Sequence, residues 1–154
     1  MDNNEQQRLS AWLRNALAQP VKVTAAAKLT GGAIQENWLI TTDGAGDLVL
    51  RTDAPSGVAT SHSREQEFAL LQVAHESDVT VPEPLAFCSD LSVIGKPFAV
   101  MRLIGGPALG HRLVLDPVVT ANGDSLVDQL RPELASNHAN TSPEARRVFP
   151  TTFR

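Results

Sequence analysis

Asn37-Trp38-Leu39-Ile40-Thr41-Thr42, then Asp43-Gly44-Ala45-Gly46, then Leu48-Val49-Leu50-Arg51, is the stretch that decides how this chain folds. Apolar and β-branched residues fill both flanks, and an Asp/Gly-rich quartet separates them, the pattern of two strands joined by a turn. Upstream, Val21-Lys22-Val23-Thr24 alternates in the same way, so residues 21–52 read as a three-stranded antiparallel meander. Before it, Leu9, Trp12, Leu13, Ala16 and Leu17 recur at helical spacing and predict a helix over 5–18, stopped by Pro20.

Downstream, Pro55, Ser56, Gly57 and Ser61 mark a loop, and a second helix is predicted from about Ser63 to His75. Val81-Pro82-Glu83-Pro84 is held extended by its prolines. Leu85-Ala86-Phe87-Cys88 and Pro97-Phe98-Ala99-Val100-Met101 predict two more strands, with a turn region between them bracketed by Ser89-Asp90 and Gly95-Lys96. Gly105-Gly106-Pro107 breaks the strand pattern, and a polar, Gly/Asp-rich stretch follows to Asp124. Leu126, Leu130, Leu134 and His138 recur at i+4, with Pro132 among them. A proline in a helix interior costs about 3 kcal/mol, so a helix here is expected to kink or to start at that residue. The sum is an α+β fold: a five-stranded antiparallel sheet with one inserted helix and an N-terminal helix, followed by a partial helical segment. Residues 1–104 form the first unit, 105–140 a linker and the start of an incomplete helical unit, and 141–154, which lack periodicity, a disordered tail.

Composition narrows the function. The chain has 154 residues, 42% hydrophobic and 19% charged, enough to build the core of one domain or one lobe. Thirteen basic against seventeen acidic residues give a net charge of −4, and no Lys/Arg run interrupts the sequence. A nucleic-acid binder that works by neutralising phosphates is excluded on that ground. The single cysteine, Cys88, rules out an internal disulfide framework and a Cys-cluster zinc site. No apolar run is long enough to span a bilayer. The polar start Met1-Asp2-Asn3-Asn4-Glu5 is not a signal peptide, so a cytoplasmic location is expected.

Three features carry chemistry. Gly31 and Gly32 lie between strands, where backbone N–H groups can approach a phosphate without a side-chain clash. Taken alone, a Gly pair there is a hairpin former. Arg51 ends an apolar strand, a position from which a cation can hold phosphates, or simply face solvent. Glu67 shares a helix face with Leu70, Leu71 and Ala74 and needs a partner if it is buried, and Arg51 is a candidate. A P-loop is absent, since no Gly-Lys-Ser/Thr follows a glycine run, and Gly44-Ala45-Gly46 lacks the third glycine of a dinucleotide fingerprint.

Gly-Gly-Ala-x-Gln-Glu-x-Trp (31–38), Leu-Val-Leu-Arg (48–51), Glu-Phe-Ala-Leu-Leu (67–71), Val-x-Val-Pro-Glu-Pro (79–84) and Ile-Gly-Lys-Pro-Phe-Ala-Val-Met (94–101) occur in that order. Together, over roughly residues 9–138, they resemble the N-terminal lobe of the aminoglycoside-phosphotransferase-like family, which has a protein-kinase-like fold. The resemblance is greatest to the broad branch sometimes fused to acyl-CoA dehydrogenases. It implies that the Gly31-Gly32 loop covers the phosphates of ATP, that Arg51 stands at the phosphate-binding cation, and that Glu67 is its helix partner. It further implies that Met101 and Leu103 belong to the strand-to-hinge segment whose backbone reads adenine. Ile34 departs from the family pattern, where a Ser is usual.

The resemblance also implies an absence. Kinase-type transfer needs a catalytic-loop Asp, a metal-binding Asn and a second Asp on Mg²⁺. The four histidines are followed by Ser63-Arg64, Glu76-Ser77, Arg112-Leu113 and Ala139-Asn140, so none opens His-x-Asp. The expectation is therefore an ATP-binding lobe of a small-molecule kinase, cut before its catalytic motif, with no catalytic and no metal-binding residue of its own and inactive alone. Its partners would be a nucleotide and, only with a C-terminal lobe, Mg²⁺ and a small-molecule acceptor, but no nucleic acid and no membrane. The alternative is a non-catalytic remnant that binds nucleotide or docks on a partner, or a truncated gene product without function.

Overall fold

The computed structural model describes residues 1–30, 35–54, 63–105 and 115–139. Gly31, Gly32 and the 141–154 tail lie outside the described residues. Helix α1 (Asn3–Ala16) leads into strands β1 (Lys22–Lys28), β2 (Gln35–Asp43) and β3 (Leu48–Asp53). Helix α2 (Arg64–Glu76), β4 (Pro84–Cys88), α3 (Leu91–Ile94) and β5 (Phe98–Arg102) follow, and then helices α4 (Pro117–Ala121) and α5 (Gly123–Ala139). The sheet order is β1-β2-β3-β5-β4, and every neighbouring pair is antiparallel. This is the five-stranded α+β architecture that the strand pattern predicts.

Alternation along the strands gives the sheet two faces. The first carries Ile40, Leu48, Leu50, Phe98 and Val100, each 1% exposed or less, and α1 covers it with Leu9 and Leu13. Each such side chain contributes about 1.5–3 kcal/mol by burial. Trp12 packs edge-on against Phe98, ring centroids 4.8 Å apart. Ser10 ties helix to strand, since its hydroxyl donates to the Gln6 carbonyl and accepts from the Val23 N–H at 2.9 Å. The helix starts at Asn3, earlier than its apolar stripe, because Asp2 and Glu5 form a capping box around its first turn.

Three local expectations change. The turn region between β4 and β5 holds a helical turn, α3, capped by the Asp90 side chain on the Ser92 N–H at 2.8 Å. The stretch before Asp124 contains α4, for which Asp116 is the cap and Pro117 the first residue. Pro132 does not begin a helix. It lies inside α5, which runs from Gly123 to Ala139 as one helix. Glu133 fastens α5 to the sheet side of the molecule, accepting from the Thr80 N–H at 2.9 Å and the Thr80 hydroxyl at 2.5 Å.

One glycine in the β2–β3 turn is set by sterics. Gly44 has φ +102°, and a Cβ there would run into the Pro20 carbonyl oxygen. Gly46 has φ +72° with open space around it. Gly46→Ala should therefore cost only the left-handed penalty, about 1–2 kcal/mol. Gly44→Ala should lower the melting temperature clearly further, because backbone must also shift. Equal melting temperatures for the two variants would show that the Pro20 contact is not limiting.

Candidate functional site

Burying Leu48, Leu50 and Thr52 on the first face turns Val49, Arg51 and Asp53 to the second. The register extends that face sideways. Ala27, Leu39, Val49 and Met101 form one cross-strand row, and Asn37, Arg51, Ala99 and Phe87 the next. Gln35 and Asp53 form a third row at the end. The second face thus grades from an aliphatic shelf to a polar edge, with Arg51 where they meet.

α2 covers the polar edge. Phe68 stacks on Phe87, centroids 6.0 Å apart. The helix begins on a capping box formed by Ser63 and Gln66. Its most buried residues are Arg64, Phe68 and Val73, so it is rotated from the Leu70, Leu71 and Ala74 stripe that spacing suggests. Arg64 is the charged member of that buried face. Arg64, with its side chain 4% exposed, donates from one terminal nitrogen to Glu67 Oε2 at 2.5 Å and from the other to Asp53 Oδ1. Its Nε is buried with no hydrogen-bond partner among the described residues. Gln35 Nε2 donates to Glu67 from the sheet, at 3.2 Å and 3.3 Å to the two oxygens.

The candidate residues fall as follows. Arg51, Glu67 and Met101 gather on this face or against it. The expected Arg51–Glu67 ion pair is not what forms. Arg64, one helical turn before Glu67, reaches its carboxylate first, and Arg51 Nε donates instead to Asn37 Oδ1 at 3.1 Å. Among the described residues no carboxylate lies within ion-pair distance of Arg51. The two cations and Glu67 still share one electrostatic neighbourhood. Burial pushes the Arg51 pKa down, the Glu67 charge pulls it up, and the Arg64 charge pushes it down again. Leu103 follows β5, and its N–H donates to the Asp47 carbonyl at 3.3 Å. The exit of β5 is fixed by Arg102, whose side chain reaches Glu83 at 3.2 Å and the Ala45 carbonyl at 2.7 Å.

Arg64, Asn37, Gln35 and Asp53 are the site residues that sequence reasoning passed over. Asp53 was accessible, since it is two residues past Arg51 on a strand. Arg64 carried a signal too, because it opens the helix after a cap and stands three residues before Glu67. Asn37 and Gln35 depend on the β2–β3 register. Among the described residues no group of three His, Cys, Asp or Glu is arranged to hold a metal ion. No helix among them is long and apolar enough to cross a membrane. A groove of about 590 Å³ lies away from this face, between α1 and β1, lined by Gln6, Ser10, Arg14 and Lys22 among others.

The sheet and its inserted helix define the class: this is the N-terminal lobe of a kinase-like fold. The family model described as "Phosphotransferase enzyme family" matches residues 25–148, and the chain belongs to that family. Among solved structures it is similar to a Ralstonia eutropha JMP134 protein labelled an aminoglycoside phosphotransferase, with a TM-score of 0.52 and 24% identity. That match covers 67% of this chain but only 29% of the other. No curated protein matches the chain significantly.

Behind Arg51, Glu36 braces the sheet from the first face. It accepts from Lys28 at 2.7 Å and from Lys96 at 3.1 Å, and Lys96 also donates to the Asp53 carbonyl at 3.1 Å. The hydrogen bonds from Lys28 and then Lys96 hold the Glu36 carboxyl below its usual range. A carboxyl depressed in the folded state adds stability above its unfolded pKa of about 4.3 and loses it as pH falls through the folded value. Glu36→Gln should therefore melt below wild type at pH 7, by about 0.5–1 kcal/mol for such partly exposed partners. The gap should close as pH drops below about 4. A gap that persists in melting curves down to pH 2 would exclude the charge as its cause.

Proposed function

We propose that this chain is the nucleotide-binding lobe of a small-molecule phosphotransferase, with ATP held on the second face of the sheet. The observation that carries the reading is Arg51. It is a half-buried cation, steered by Asn37, free of any carboxylate at ion-pair distance among the described residues, and bordered by an aliphatic row. A guanidinium in that setting suits a phosphate, because it offers fixed paired donors and a permanent charge. The row Ala27, Leu39, Val49 and Met101 suits a flat base, which gains by dispersion and by leaving water.

ATP would bring the transferable phosphoryl group. The chain's own residues would hold and orient it: the aliphatic row for the base, with Met101 and Leu103 at the edge where adenine is read, and Arg51 with Gly31 and Gly32 for the phosphates. Transfer to a hydroxyl acceptor further requires a base and Mg²⁺-binding carboxylates. We assign those, with the acceptor site, to a C-terminal lobe packed beyond α5, and this lobe alone binds without transferring. The exposure of Leu126, Leu130 and Leu134, 39%, 56% and 55%, supports an adjoining apolar surface on that side.

Calorimetric titration with ATP tests the reading. Arg51→Ala should weaken binding about tenfold, the worth of one charged contact of roughly 1.4 kcal/mol, and Arg51→Lys should recover much of it. Wild-type and Arg51→Ala proteins that bind ATP equally would refute the assignment of Arg51.

A further inference from the structure

We propose that the groove between α1 and β1 is a second ligand site, suited to a small organic anion with an acidic headgroup on an apolar body. The groove lies away from the face that carries Arg51, and the proposal does not rest on the reading of that residue. Its volume, about 590 Å³, falls within the roughly 300–1,000 Å³ of small-molecule sites. Two cations flank it. Arg14 stands on the α1 side, where Gln6, Ser10 and Arg14 recur at i, i+4 and i+8 and so share one stripe of the helix. Lys22 opens β1 on the other side. Among the described residues no Asp or Glu lines the groove. Asp43 is the register partner of Lys22, yet neither the Lys22 ammonium nor the Arg14 guanidinium forms an ion pair or a hydrogen bond among the described residues. An anion held between them gains a charge-assisted contact from each.

The floor sets the rest of the ligand. Val21 and Val23 belong both to the lining of the groove and to the core. A bare inorganic ion gains nothing from that apolar surface, whereas an aromatic or aliphatic body gains by leaving water. The walls also disfavour another kind of occupant. β1 is an edge strand, and a peptide adding to it would need its main-chain N–H groups. The Val23 N–H is already taken by the Ser10 hydroxyl at 2.9 Å, and that hydroxyl is fixed by donating to the Gln6 carbonyl at 2.7 Å. Ser10 is buried, so the clasp is part of the packing. The groove is thereby closed to strand addition at Val23 and open to a ligand recognised by its charge and its body.

The test follows backbone amide signals by two-dimensional NMR during titration with phenyl phosphate, benzoate, neutral benzamide and inorganic phosphate, at low ionic strength. The proteins are wild type, Arg14→Gln, Lys22→Gln and Arg51→Ala. Arg14 and Lys22 are exposed, so their replacement leaves the core intact. At least one of the two organic anions should shift the Val21, Lys22 and Val23 signals saturably. Benzamide and inorganic phosphate should bind about threefold more weakly than that anion, or worse, and Arg14→Gln and Lys22→Gln should each weaken it about threefold. Arg51→Ala should leave its affinity unchanged. Tighter binding of phenyl phosphate assigns a phosphate ester as the ligand class, tighter binding of benzoate a carboxylate, and equal binding an organic anion of either kind. The proposal is overturned if neither anion shifts those signals, or if benzamide or inorganic phosphate binds as tightly as the better anion. It is equally overturned if Arg14→Gln or Lys22→Gln binds like wild type, or if Arg51→Ala abolishes binding, which assigns the probe to the other face.

Discussion

The alternation of β3 between two faces is the constraint on which the rest depends. Leu48, Leu50 and Thr52 are 2% exposed or less, and Leu48 and Leu50 share one buried core with Leu9 and Leu13 of α1. A shift of register by one residue would bury Arg51 among leucines and carry Leu50 to the opposite face. Burial of an unpaired guanidinium is costly enough to forbid it. The hydrophobic core behind the sheet therefore does two things with one pattern. It stabilises the lobe, and it fixes the height and direction of the Arg51 stem on the other side.

α2 meets that second face through a charged contact as well as an apolar one. Phe68 on Phe87 supplies area, while Arg64 supplies position, since a guanidinium fork accepts two carboxylates in one geometry. A buried ion pair of this kind is weak evidence for stability, because desolvation offsets much of the attraction. It specifies an arrangement more than it stabilises one. Here the arrangement ties α2 to the end of β3, two residues from Arg51, so a movement of the helix changes the charges that Arg51 experiences.

Most of the framework was legible in the residues. The strand periods over 21–52, the prolines at 82 and 84 and the helical stripe of Leu9 and Leu13 give the five strands and two main helices close to their observed bounds. Short elements were harder. α3 and α4 are single turns whose only signals are the capping Asp90 and the Asp116-Pro117 pair, and neither has room for a hydrophobic period. The rotation of α2 was illegible for another reason. Spacing ranks Leu70 and Leu71 above Arg64 as core residues, whereas Arg64 is the one buried, with its terminal nitrogens on the carboxylates of Asp53 and Glu67.

What the sequence determined by itself was which residues are strand-like, which helical, and that Arg51 and Glu67 carry charge next to apolar runs. These are properties of short windows, written in periods of two and 3.6. The tertiary structure decided who meets whom. Arg64 takes Glu67, and Asn37 takes Arg51, because sheet register and the seat of α2 bring together atoms from residues 35, 37, 51, 53, 64 and 67. The physical reason is that hydrogen bonds and ion pairs are decided by separations of a few ångströms across segments far apart in the chain, and no local period encodes them.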